Sequence, residues 1–217
     1  MFAMILRTHW KWTRLLVLAL AVLAFLMPAF AWRLASHGGD SANVMQLMDG
    51  FSVLGPMLAF LSLLGAFVLA VYPWTLDAET KHVYPLSLPI SWTRYVGMRY
   101  AAGALTLVVP ALALYLGSRL AVSLIVLPPM LQAYPGALAV RFLMAALVAY
   151  SASFALQYLA GRRAALVALV IVLGFAVNLT ALELAGAKGW SDAIGSFLFD
   201  FPGPFGVFSQ SWVLIDV

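Results

Sequence analysis

Asp77, Glu79, Lys81 and His82 stand within six positions of one another, and Arg94 and Arg99 follow closely. They belong to the stretch Tyr72 to Arg99 (YPWTLDAETKHVYPLSLPISWTRYVGMR), the longest polar interruption in an otherwise apolar chain. It holds two of the eight acidic residues, three of the twelve basic ones and one of the three histidines. Charges of both signs on so short a segment suit either a solvated loop or a surface that a second protein docks on. Other chemistry finds little footing. His9, His37 and His82 are scattered, which argues against a shared metal site, and with no cysteine there is no disulfide, thiolate ligand or thiol nucleophile. No Gly-x-x-x-x-Gly-Lys-Ser/Thr, Gly-x-Ser-x-Gly or His-Glu-x-x-His run occurs, so nothing points to a P-loop, a hydrolase or a zinc protease. No catalytic group, cofactor or metal is expected.

The surroundings of this stretch decide where it works. Of the 217 residues 65% are hydrophobic and 9% charged, against roughly 25% charged in a soluble domain. Such a chain cannot hide its apolar surface in a water-soluble core, and it reads as an all-α, polytopic membrane bundle. The basic balance then reports loop topology and not nucleic-acid binding.

Residues 1–14 place Arg7, His9, Lys11 and Arg14 among Phe2, Met4, Ile5, Leu6, Trp10 and Trp12, which suits an amphipathic helix on the inner membrane surface. A first span follows over 15–34. The basic start and Ala29-Phe30-Ala31 also resemble a secretory signal, and we read the segment as a signal anchor. Further spans are expected from Asp49 or Gly50 to Tyr72, from near Arg99 to Gly117 with a kink at Pro110, from Ala137 to Ala160, and from Ala164 to Leu184. The apolar residues after Arg119 either extend the third span or lie at the outer interface. Residues 15–184 thus form a five-span domain with an elbow at 73–98, and residues 185–217 an aromatic, proline-broken tail at the outer interface.

With the N-terminus, the elbow and Arg162-Arg163 inside, eight of the twelve basic residues lie on the inner side, which nets +6 against −2 outside. All seven tryptophans fall at span ends or in connections, the headgroup level that indole prefers. The expected location is the cell inner (cytoplasmic) membrane, with the N-terminus cytosolic and the C-terminus outside.

Within the elbow, Thr75 or Asp77 can cap a short helix carrying Glu79, Lys81 and His82. Pro85 limits that helix, and Pro89, after Leu88, enforces a second break. Ser91 then stands at an N-cap position ahead of Trp92, Arg94 and Tyr95. The expected plan is helix, stiff double-proline bend, helix.

Three runs resemble the coupling region of ABC exporter permeases of the type-two export family: the acid-rich start, Leu86-Ser87-Leu88-Pro89-Ile90-Ser91, and Arg94-Tyr95-Val96-Gly97 with Arg99. The resemblance in layout extends over residues 1 to about 185, and the motif over about twenty residues. It implies that Asp77, Glu79, Lys81, His82, Pro85, Leu88, Pro89 and Arg94 dock a separate ATP-hydrolysing subunit. It also implies a second permease copy and the export of a lipid-like or hydrophobic solute. The chain departs from the family by Lys81-His82-Val83, where Gly-Thr is usual, and by the lack of a clear sixth span: Ser196 to Val217 carries Asp200, Pro202, Pro204 and Gln210. That departure suits an alternative, a non-transporting accessory subunit of a large membrane complex. Besides membrane lipid, its partners would then be the other subunits of that complex.

Polar residues inside the apolar runs are candidates for function as well as packing. Arg141, Asn178 and Glu183 are the chief ones, with Arg141 and Glu183 a candidate pair across two spans. Tyr150, Ser151, Ser153 and Gln157 make a mild polar stripe, as suited to helix packing as to a substrate lining.

Overall fold

The computed structural model describes residues 1–35, 54–79, 90–124, 131–160 and 214–216. These form α1 (Phe2–Ala35), α2 (Leu54–Glu79), α3 (Trp92–Thr106), α4 (Val108–Ser123), β1 (Gln132–Ala133), α5 (Pro135–Ala160) and β2 (Ile215–Asp216). The fold is all-α. Four helical segments are long and apolar enough to cross a membrane: Phe2–Ala31, Met57–Leu76, Trp92–Ser123 and Pro135–Tyr158. The fifth expected span, 164–184, lies outside the described residues, as does the tail except for 214–216.

Helix α1 has 34 residues, about 51 Å at 1.5 Å per residue, well beyond the ~30 Å hydrocarbon layer. The surface helix expected over 1–14 and the first span are therefore one uninterrupted helix. The reason is packing. Ile5, His9, Thr13 and Val17 recur every fourth position and are all buried, Ile5 in a cluster with Tyr95 and Ala102 of α3. Arg7, Lys11 and Arg14 are exposed. The helix thus buries one stripe against protein from its second turn onward, and its basic residues stay outside the bundle.

Helix α2 also exceeds its expected end. It runs through Pro73 to Glu79 instead of stopping at Tyr72. Proline removes one backbone hydrogen bond, a loss that membrane helices tolerate when neighbours hold them. Trp74 supplies that hold, being buried edge-on against Phe154 of α5 with ring centroids 5.8 Å apart. No helix starts at Thr75 or Asp77. The Thr75 hydroxyl donates back to the Tyr72 carbonyl at 2.8 Å, and Asp77 and Glu79 belong to the last turn of α2, not to a first turn.

The third span begins earlier than Arg99, at Trp92, with Ser91 at the N-cap position expected of it. The Ser91 hydroxyl makes no cap hydrogen bond and lies 3.4 Å from the Thr93 hydroxyl. Near Pro110 the helical hydrogen-bond pattern is interrupted at Leu107, which separates α3 from α4. Pro110 has no N–H for the Thr106 carbonyl, and its ring crowds that carbonyl. The chain answers with a tighter turn in which Leu107 N–H donates to Ala104 O at 3.3 Å. Helix α4 continues to Ser123, so residues 120–123 extend the span, and 125–130 lie outside the described residues. Helix α5 covers 135–160, close to expectation.

Helix α1 packs chiefly on α4, and α2 on α5. Small residues set these distances, as membrane helix interfaces favour. Ala24 and Ala31 of α1 are fully buried, and so is Gly117 of α4. A Cβ at Gly117 would overlap the Phe25 carbonyl and stand 2.9 Å from the Phe25 Cα. Large apolar side chains point outward instead: Leu15, Val22 and Leu26 of α1, Leu112 and Leu116 of α4, and Met144 of α5 are half or more exposed, a surface suited to lipid.

The four spans alternate in direction. Trp74 late in α2, Trp92 early in α3 and Phe154 late in α5 meet at one end, joined there by Trp12 of α1 through Arg99. At the other end Tyr134 N–H donates to Leu214 O at 2.9 Å, and β1 pairs antiparallel with β2, Gln132 opposite Asp216 and Ala133 opposite Ile215. Both sides of the elbow, Glu79 and Ile90, belong to the first end.

Candidate functional site

At the elbow end, six rings from three helices form a continuous aromatic layer. Trp92 of α3 lies 6.2 Å from Trp74 of α2 and 5.7 Å from Tyr95. Trp74 meets Phe154 of α5, and Phe154 meets Tyr100 of α3 at 5.4 Å. Tyr150 completes the layer, 5.5 Å from Tyr100 and 5.8 Å from Phe154. Edge-to-face and offset pairs at such distances each contribute about 0.5–1.5 kcal/mol beyond their area burial. Trp74 and Trp92, which flank residues 80–89, thus touch and form a neck where α2 ends and α3 begins.

Arg99 fastens this layer to α1. It is 3% exposed, and its guanidinium carbon lies 4.9 Å from the Trp74 ring centroid, 5.7 Å from Tyr95 and 5.9 Å from Trp12. Its Nη1 donates to the Tyr95 hydroxyl one turn earlier. A desolvated cation over an aromatic face is worth about 2 kcal/mol or more. One side chain therefore draws together α1, α2 and α3 at the level where the elbow departs.

Beside Arg99 lies a small cleft, lined by Ile5, Thr8, His9, Trp12, Tyr95 and Arg99. His9 is 4% exposed, and its Nε2 has no hydrogen-bond partner among the described residues. Thr8 and Thr13 use their hydroxyls within α1, donating to Met4 O and His9 O.

Of the polar stripe on α5, Tyr150 and Ser151 take part in helix packing. The Tyr100 and Ser151 hydroxyls lie 2.7 Å apart, and Ser151 also donates to Leu147 O at 2.7 Å. The Tyr150 phenol occupies the space that a side chain at position 103 would need, so Gly103 makes room for it. Gln157 is buried, with its Oε1 unpartnered among the described residues.

Of the residues expected to dock a partner, Arg94 is exposed in the first turn of α3, close above the aromatic layer in sequence. Asp77 and Glu79 end α2 on the other side of the neck. Lys81, His82, Pro85, Leu88 and Pro89 lie outside the described residues, so the double-proline bend does too. Arg141 is half-buried in α5, while Asn178 and Glu183 are outside the described residues, and with them the Arg141–Glu183 pair. No group of three or more metal-ligating side chains exists among the described residues.

Sequence reasoning passed over Arg99, Trp12, Tyr95 and His9 as a unit. Arg99 reads as an inner-side charge and as the basic end of the run resembling the coupling region, and Trp12 as a headgroup marker. Two signals were present: a tyrosine four positions before an arginine on one helix, and His9 and Thr13 in register with Ile5 and Val17. Comparisons with protein-family models, with curated proteins and with solved structures find no match to this chain.

Proposed function

We propose that the chain is a permease-like membrane subunit of an ABC exporter. It would couple ATP hydrolysis in a separate subunit to the export of a lipid-like or hydrophobic solute. The observation that supports this reading is the neck. A force applied to the elbow acts on Trp74 and Trp92, which touch each other, and passes through Phe154 to α5 and through Arg99 to α1. A slack loop would absorb such a force, whereas a packed, bistable interface can transmit it. In this reading the elbow lies in the cytosol, the membrane is the inner one, and Asp77, Glu79 and Arg94 belong to the docking face.

A photo-crosslinking residue at the exposed Arg94 position is the direct test. It is expected to give one adduct with a nucleotide-binding protein in the native membrane, and the same probe at the exposed Arg119 of α4 none. Equal adducts from both positions, or an Arg94 adduct with proteins that bind no nucleotide, would remove the docking role.

Sidedness has its own test, helped by the absence of cysteine in the sequence. An impermeant maleimide added to intact cells is expected to label Gln132→Cys at once, and Arg94→Cys only after permeabilisation. The opposite order would invert the topology.

The second reading is a non-transporting accessory subunit of a large membrane complex. The Arg94 adduct separates the two readings, since an accessory subunit would join a large assembly with no ATPase at the elbow.

A further inference from the structure

We propose that the outward face of the first turns of α1 binds an anionic phospholipid, with Arg7, Lys11 and Arg14 holding its headgroup. The site requires that α1 crosses a membrane. It does not depend on the transport reading, since no partner on the elbow takes part in it.

Positions 7, 11 and 14 fall within about 60° of one another around a helix of 3.6 residues per turn. All three side chains are exposed. Ile5, His9 and Thr13 are buried on the opposite side of α1, so the basic stripe faces away from the bundle. None of the three basic residues has an ion-pair partner among the described residues. Like charges three and four positions apart on a helix repel, and an anion held between them removes that repulsion. Two of the three are arginines, whose planar fork of donors suits phosphate oxygens.

The same face shows that the anion carries acyl chains. Residues 15–32, between Arg14 and Arg33, hold no charge and extend about 27 Å at 1.5 Å per residue, close to the ~30 Å hydrocarbon layer. Arg14 therefore stands at one boundary of that layer, with Lys11 and Arg7 further out among the headgroups. Trp10, exposed beside the stripe, belongs to the same level. On the other side of Arg14 the face turns apolar. Leu18 lies inside the arc of the stripe and Val22 at its edge, 50% and 57% exposed. A soluble acidic protein matches the charges but cannot follow this face into hydrocarbon. A phospholipid does both, with its phosphate on the basic stripe and a chain along Leu18 and Val22. Charge then selects among lipids, because each basic residue at the surface favours an anionic lipid by about fivefold.

The test uses the full-length protein purified in mild detergent. Native mass spectrometry counts bound phosphatidylglycerol and phosphatidylcholine from an equimolar mixture. Phosphatidylglycerol is expected to be retained preferentially, about fivefold less by Lys11→Gln, and without preference when Arg7, Lys11 and Arg14 are all changed to glutamine. Arg119→Gln, at an exposed site of α4, should leave retention unchanged. Equal retention of the two lipids by the wild type, or equal losses from Lys11→Gln and Arg119→Gln, would overturn the proposal. So would displacement by millimolar glycerol phosphate, which has the charge of the headgroup but no chain. Loss of basic residues can also disturb insertion. In that case the wild-type protein in mixed vesicles is photolabelled with a phosphatidylglycerol that is reactive in its headgroup. Adducts within 7–14, suppressed by excess phosphatidylglycerol and not by phosphatidylcholine, support the site, and adducts only elsewhere refute it.

Discussion

Gly117→Ala lowers the thermal stability of the purified protein by about 2–3 kcal/mol, the range of an overpacked core. Helix propensity alone predicts the opposite sign, because alanine is worth about 1 kcal/mol more than glycine inside a helix. The geometry decides which wins. The added Cβ would overlap the Phe25 carbonyl and meet the Phe25 Cα at 2.9 Å, and all of these are backbone atoms of α1. No rotamer change relieves the overlap, so α1 and α4 must separate along their shared interface, the most extensive in the bundle. Gly97 is the internal control. Nothing lies within 4 Å of a Cβ built there, and the position is exposed on α3. Gly97→Ala should therefore be neutral or stabilising by up to about 1 kcal/mol. Thermal unfolding in one detergent, followed by tryptophan fluorescence, measures both. Two equal shifts would mean that the α1–α4 approach is looser than described.

Arg99→Leu is expected to destabilise the protein by about 2–3 kcal/mol, and Arg99→Lys by about 1 kcal/mol. Two effects oppose each other. Removing a buried cation relieves its desolvation, and replacing buried ions by apolar groups is sometimes neutral. Here the cation rests on three ring faces and satisfies the Tyr95 hydroxyl, and leucine is too short to fill the space among Trp12, Trp74 and Tyr95. The lost contacts and the cavity outweigh the relief. Lysine keeps the charge but cannot lie flat on the rings, which sets its intermediate place. The two variants discriminate between roles: a residue that only signals topology would accept lysine without loss. The same thermal scan reads the result.

Much of the bundle was legible because it rests on composition. Spans of twenty or more apolar residues, basic residues gathered on one side and tryptophans at the ends follow from the solvent alone, and α5 lies within two residues of its expected start. What was not legible depends on partners in space. The second span is expected to end at Tyr72, yet the packing of Trp74 on Phe154 carries α2 through Pro73. Residues 1–14 carry an amphipathic pattern that suits a membrane surface, yet the stripe Ile5, His9, Thr13, Val17 lies against protein. The tightening caused by Pro110 falls three residues before it, where the Thr106 carbonyl loses its donor. Arg99 shows the limit most clearly. A charge count treats all arginines alike, and only the placement of Trp12, Trp74 and Tyr95 turns this one into the rivet of the elbow.

In the proposed function another protein works on the bundle through that elbow. Purification of the intact protein from its native membrane in mild detergent, with quantification of every chain that accompanies it, tests this most directly. A nucleotide-hydrolysing subunit in fixed stoichiometry, released when Asp77, Glu79 and Arg94 are reversed in charge, is the predicted result. A large assembly that contains no ATPase, or an ATPase whose association ignores those reversals, would contradict it.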